Sequence, residues 1–119
     1  MDVVNLEAKF ALFSDRWRPR IVAELNGQHV KLARLEGPFE WHSHPAEDEL
    51  FLVLGGTLRM ELRDGTRVLR PGELLVIPRG VEHRPVAAEG EVRVLLFEPA
   101  STVNTGDRPG ARTVAAEWI

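Results

Sequence analysis

Turn-forming residues recur along this chain at short, even intervals, and that spacing constrains the fold more than any other feature. Asn26-Gly27, Gly37-Pro38, Gly55-Gly56, Asp64-Gly65, Pro71-Gly72, Pro78-Arg79-Gly80, Glu89-Gly90 and Pro109-Gly110 combine residues that accept positive φ or preset the backbone for a reversal. The runs between them are too short for ordinary helices and are rich in Val, Leu, Ile and Phe. They predict strands near residues 21–25, 29–36, 50–54, 57–63, 67–69, 74–77 and 92–98. About eight short elements joined by tight turns make a mostly antiparallel, all-β domain. The stretch from Thr57 to Arg63 alternates polar and apolar residues without a break, as a strand with one wet face should. Leu50-Phe51-Leu52-Val53-Leu54 is apolar on both faces. Such a strand must be covered twice, by the barrel interior on one side and by a second sheet or a subunit on the other, so a homodimer is expected. Leu6, Phe10 and Phe13 suit one face of a short helix within residues 5–14, or a loop that caps a barrel. Residues 101–110 mix Ser, Thr, Asn, Gly, Asp and Pro and read as a C-terminal excursion, after which residues 114–119 are expected to pack back.

Composition narrows the function classes. A chain of 119 residues fits one domain with one small core. Fifteen Lys and Arg against 18 Asp and Glu give a net charge of −3, which argues against nucleic acid or an anionic membrane as partner. There is no Cys, so disulfides and thiolate ligands are excluded, and any metal must sit on His, Asp or Glu. Residues 1–5 lack a basic stretch leading into a long apolar run, so a soluble, cytoplasmic protein is expected.

Two of the four histidines stand as His42-Ser43-His44. In extended backbone, alternate residues face the same way with Cα atoms about 7 Å apart, so both imidazoles can converge on one ion. Five residues on comes Glu49, in the acidic cluster Glu47-Asp48-Glu49. His83 follows the Pro78-Arg79-Gly80 turn, which can return it from a distant strand to the same cavity. Three imidazoles and one carboxylate would then meet. An isolated His-x-His is a weak signal by itself, since most strand histidines are surface or hydrogen-bonded residues. The ordered set is specific: Gly37, His42, His44, Glu49 and Gly56, then Gly72, Pro78, Gly80 and His83.

That set resembles the two motifs of the cupin superfamily. The first family motif places five residues between its Gly and His-x-His, where this chain has four. The second ends on Asn, where this chain has Ala87. Neither departure touches a ligand position. The resemblance covers about residues 30–98 and implies a double-stranded β-helix (jelly-roll) barrel holding a metal on His42, His44, Glu49 and His83. It divides the single domain into a core barrel of about 30–98, an N-terminal arm 1–29 and a C-terminal extension 99–119. Glu49 also shares strand parity with Phe51 and Val53, so Leu50, Leu52 and Leu54 face outward, and Glu47 and Asp48 are expected to be solvated turn residues. His29 is expected to be a surface or edge residue.

Three neutral imidazoles and one carboxylate leave a divalent ion with net charge near +1 and room for exchangeable ligands. Such a centre suits a metal-dependent enzyme of oxygenase or isomerase type on a small polar or anionic metabolite, with Fe, Mn, Ni, Co or Zn as candidate ions. A non-catalytic binding or sensing module would use the same cavity. Many small cupins are described as mannose-6-phosphate-isomerase-like, yet no Arg or Lys cluster for a phosphate lies within the motifs. No general acid or base stands out. Arg59, Glu61 and Arg63 read as a solvated strand face, Arg79 as a turn residue near the barrel mouth, and Trp41 as outer packing.

Overall fold

A computed structural model describes all 119 residues, Met1–Ile119. It contains one short helix, α1 (Leu6–Phe10), and eight strands: β1 (Arg20–Leu25), β2 (Gln28–Pro38), β3 (Glu49–Gly55), β4 (Leu58–Leu62), β5 (Gly65–Leu69), β6 (Leu74–Ile77), β7 (His83–Pro99) and β8 (Glu117–Trp118). The sheet runs β5-β4-β7-β2-β1-β8, and β3 joins β7 to β6. Every pair is antiparallel except β1 with β8. β7 is the spine: its first residues pair with β4, its last with β3, and both halves pair with β2. One strand serving both layers rolls the sheet into the expected jelly-roll barrel.

That rolling corrects one turn assignment. Glu89-Gly90 was expected to end a strand, yet β7 runs through it, whereas β2 reaches Gly37-Pro38 and ends there as expected. Their register passes from Leu35↔Val92 to Gly37↔Ala87, so residues 88–91 form an enlarged bulge, with Gly90 at φ 108° and Gly37 at φ 72°. A bulge leaves the ladder on either side intact while bending it, which lets each half of β7 face a different layer. Gly56, after β3, is a true turn glycine. It sits at φ 80°, and a Cβ there would lie 2.6 Å from the carbonyl oxygen of Glu91, so only glycine passes.

The inner faces of β2, β3, β4 and β7 meet in a core that includes Leu35, Val53, Leu58, Met60, Val92 and Val94. Ala87 belongs to it, 2% exposed. Outside the barrel, Asn5 caps α1 by accepting from the Ala8 N–H at 2.9 Å. The helix ends before Phe13, but Phe10 and Phe13 still pack together with Val22 and Leu32, and Leu54, Leu95 and Ile119 join them. The second cover of the two-sided apolar strand is therefore, at its Leu54 end, an arm of the same chain. At its other end Leu50 and Leu52 stay half-buried beside the edge strand β6, whose Leu74 and Val76 are exposed. No helix is long and apolar enough to cross a membrane.

Candidate metal centre

Backbone pairing between the two motif loops builds the site. His42 and His83 form an isolated antiparallel bridge, with N–H to carbonyl distances of 3.0 and 2.9 Å in the two directions, and the Gly80 N–H donates to the His44 carbonyl at 2.8 Å. Asp48, expected to be merely solvated, holds the turn before His83: its Oδ1 accepts from the Arg79 N–H at 2.8 Å and from the Arg79 side chain. Those bonds, the backbone one foremost, keep the Asp48 carboxyl below its usual range. Glu47 accepts from the Ser101 hydroxyl.

The result brings all four expected residues together. His42, His44, Glu49 and His83 are buried, and one ligating atom from each lies within 4.8 Å of the others. Nδ1 of His42 sits 2.9 Å from the Glu40 carbonyl, and Nδ1 of His83 sits 3.0 Å from that of Val81. A carbonyl only accepts, so both Nδ1 atoms carry the proton and both Nε2 lone pairs are free. Glu49 Oε1 stands 3.4 Å from His44 Nε2 and 3.6 Å from His83 Nε2. Two ligands on one ion at about 2.1 Å stand about 3–3.5 Å apart, so these gaps suit a shared cation better than direct hydrogen bonds.

The unmet hydrogen-bonding demand gives the same answer. His44 Nε2, Glu49 Oε1 and His83 Nε2 are buried without a partner. Leaving one such group unsatisfied costs about 1–3 kcal/mol, and a cation among them would satisfy all three. Protonation favours it too. Burial, followed by the neighbouring His83, pushes His42 down to about 4, so its ring is neutral. Burial alone would raise Glu49, but the neighbouring Glu98 carboxyl and the His44 and His83 imidazoles outweigh it and hold the group well below the usual range. The donor set is the hard-to-borderline one that divalent transition metals accept.

Beside His42 and Glu49 lies a cavity of about 40 Å³, walled chiefly by apolar side chains including Ala33, Leu35, Phe51 and Leu96. Trp17 and Phe39, stacked at 4.6 Å, and Asn104 line it as well. The C-terminal excursion braces the His-x-His loop: Ser43 N–H donates to Asp107 Oδ1 at 2.8 Å, and Asp107 N–H returns a bond to the Ser43 carbonyl at 2.9 Å. Gly106 makes that approach possible, because any Cβ there would collide with the Ser43 carbonyl oxygen.

Two polar residues inside the barrel escaped the sequence reading. Glu98 lines the cavity at 1% exposure, and its Oε1 accepts from Lys31 Nζ at 2.8 Å. Burial, and then the Glu49 charge, pushes the Glu98 carboxyl well above its usual range, with Lys31 opposing. Strand parity could have found both, since Glu98 continues the inward series Val92, Val94, Leu96, and Lys31 continues Leu35, Ala33. The other candidates stay outside. Arg63 lies over the Trp41 ring at 3.7 Å, Glu61 pairs with Arg84 at 2.7 Å, Arg59 is exposed and Arg79 is held by Asp48. His29 is outside the ligand cluster but is no surface residue: its side chain is 13% exposed and meets Trp118 edge-on.

Residues 28–98 match the family described as the cupin domain. Among solved structures, a cupin-2 domain containing protein from Shewanella frigidimarina is 46% identical, with 82% of this chain and 94% of that chain covered and a TM-score of 0.79. The uncharacterized protein YdbB of Bacillus subtilis is 44% identical over 64 residues, which are 53% of this chain and 57% of that protein. Auxin-binding protein ABP19b of Prunus persica is 31% identical over 91 residues, 69% of this chain and 43% of that protein. The chain thus spans about half the length of these two curated relatives.

Proposed function

This chain belongs to the cupin family, and from that premise we propose that it holds one divalent transition metal on His42, His44, Glu49 and His83 and acts as a metal-dependent enzyme, of oxygenase or isomerase type, on a small metabolite. The observation that carries the reading is the buried cluster of four donors, three with partnerless atoms, opening on a cavity. The ion would supply Lewis acidity to an oxygen of the ligand, and Fe, Mn, Ni, Co and Zn all suit the donors. The chain's own residues do the rest. The Glu40 and Val81 carbonyls fix two imidazoles in their ligating tautomer, the apolar wall excludes water, and Trp17 with Phe39 covers the ligand's body. The lining contains no Lys or Arg, and Lys31 behind it is taken by Glu98, so a phosphate would meet the metal as its only free cation. This favours an oxygen-bearing head on a largely apolar body over a sugar phosphate.

The unit proposed is one cupin domain over residues 1–119, and a second copy is proposed to cover Leu74 and Val76 on the edge strand β6 with Leu50 and Leu52 beside them on β3. Metal analysis of purified protein tests the centre: about one transition metal per chain is expected, and its loss in His42→Ala. Full occupancy in that variant overturns the site. Oxygen uptake or turnover in a screen of diketones, thiols and phenolic acids supports the enzyme. Tight binding without turnover makes the protein a binding module instead.

A further inference from the structure

The strand register brings a second carboxyl to the metal centre. β3 and β7 pair as Leu52↔Leu95, Phe51↔Leu96 and Leu50↔Phe97, so one step further sets Glu49 beside Glu98 on the inner face. On the other side of β7, Lys31 pairs with Leu96 and reaches diagonally to Glu98 Oε1 at 2.8 Å. Lys31, Glu98 and Glu49 therefore form a chain across three adjacent strands, and all three are at most 4% exposed. Glu98 Oε2, the oxygen that Lys31 does not take, is fully buried and lacks any other partner.

An interior ion pair contributes little by itself. Desolvating two charges costs about as much as their attraction returns, and well-packed hydrophobic residues at such sites are often at least as stabilising. The neighbours here are Phe51, Val94, Leu96 and Ala33, any of which shows that the barrel accepts hydrocarbon at this level. The pair also places a carboxyl directly opposite another carboxyl, an arrangement that is unfavourable without a cation or a shared proton. Both costs make sense if the pair serves Glu49.

We propose that Lys31 and Glu98 are positioning residues of the metal centre: Glu98, anchored by Lys31, orients the Glu49 carboxylate so that Oε1 faces the imidazoles. This rests on the metal-binding reading above. Outer partners of this kind fix the rotamer of a ligating group, and losing one typically weakens metal binding about 10–100-fold.

The test uses the full chain and Co(II) as the probe, with affinity measured by competition against a chromogenic chelator and geometry read from the visible absorption of the bound ion. Glu98→Leu is expected to weaken Co(II) binding by about 10–100-fold and to alter the spectrum. Glu98→Gln can accept from Lys31 through its oxygen and donate to Glu49 through its amide, so it is expected to recover most of that loss. A Gln variant as weak as the Leu variant would overturn positioning by hydrogen bond, and so would a folded Leu variant with unchanged affinity and spectrum. If Glu98→Leu does not fold, Glu98→Asp replaces it: the shorter side chain keeps its carboxyl but withdraws from Glu49, and an affinity within about threefold of wild type overturns the proposal. Wild-type protein that binds no Co(II) sinks the metal site itself, whereas wild-type binding with indifferent Glu98 variants sinks only this inference.

Discussion

At one end of the barrel Leu58, Met60 and Val92 pack together with no polar side-chain atom among them; at the other end His44 in the loop before β3, Glu49 on β3, and His83 and Glu98 on β7 each have a buried atom that lacks a partner. The change happens within a few residues. Across β3, β7 and β2 the inner rows read Val53, Val94, Ala33, then Phe51, Leu96, Lys31, and then the carboxyls of Glu49 and Glu98 near His29. Burying an aliphatic side chain contributes about 1.5–3 kcal/mol, while each buried unsatisfied polar group costs about 1–3 kcal/mol. The hydrocarbon end therefore stabilises the fold, and the polar end draws on that stability for a purpose other than folding.

Four substitutions would break or sharpen this contrast. The largest effect is expected from His83→Ala, which removes one of the four proposed ligands: affinity for Co(II) or Zn(II), measured by chelator competition, should fall more than about 100-fold, beyond the loss typical of outer partners. Near-wild-type affinity would mean that the polar end is not a metal centre. At the opposite end, Leu58→Ala is expected to lower the unfolding free energy of metal-free protein in urea by about 2–5 kcal/mol while leaving metal affinity of the folded protein intact. His83→Ala should cost the metal-free protein less, because it also deletes a partnerless nitrogen. If it costs as much as Leu58→Ala, the two ends do not divide the work as argued.

The next effect separates the ends by pH. The native His42 titrates near 4, below its ordinary 6.5, so between those values the unfolded chain binds a proton that the native state refuses. Stability linked to His42 is thus fully present above about pH 6.5 and is lost as pH falls toward 4, by on the order of 3 kcal/mol. Glu98 acts oppositely, since burial and then Glu49 raise it and the native state keeps a proton that the unfolded chain releases above its ordinary 4.5. The difference between wild type and His42→Ala isolates the histidine contribution. That difference should shrink between pH 6.5 and 4, whereas the cost of Leu58→Ala should stay level across the same range. A flat His42 difference would refute the buried neutral imidazole.

The same contrast explains which parts were legible in the sequence. Alternation and turn residues located the strands, because both are local consequences of backbone geometry. The four candidate ligands were legible because the ordered set around His42, His44, Glu49 and His83 resembles the family motifs, while parity within His-x-His and the turn at Pro78 and Gly80 showed only that the side chains could converge. Glu89-Gly90 misled because a glycine at positive φ serves a bulge as well as a turn, and only the partner strand decides which. Glu98 and Lys31 were hidden for a related reason. Their charges suggest solvent, and only the pairing of β7 with β2 and β3 shows that they share an inner face with Glu49. The apolar cover over Leu54 came from an arm whose packing partners lie far along the chain.

Ala87 gives the smallest expected effect and the finest test of the boundary between the two ends. It occupies the position where the second family motif ends in Asn. Here it pairs with Gly37 beside the bulge and contributes its methyl group to the hydrocarbon cluster. An amide at that position would lose water without an evident replacement partner, which costs about 1–3 kcal/mol. Ala87→Asn is therefore expected to lower urea stability by that amount and to leave Co(II) affinity within about threefold, since the residue touches no ligand and lies on the apolar side of the division. A stabilised Asn variant, or one with tighter metal binding, would move Ala87 across the boundary and show that the bulge belongs to the metal end of the barrel.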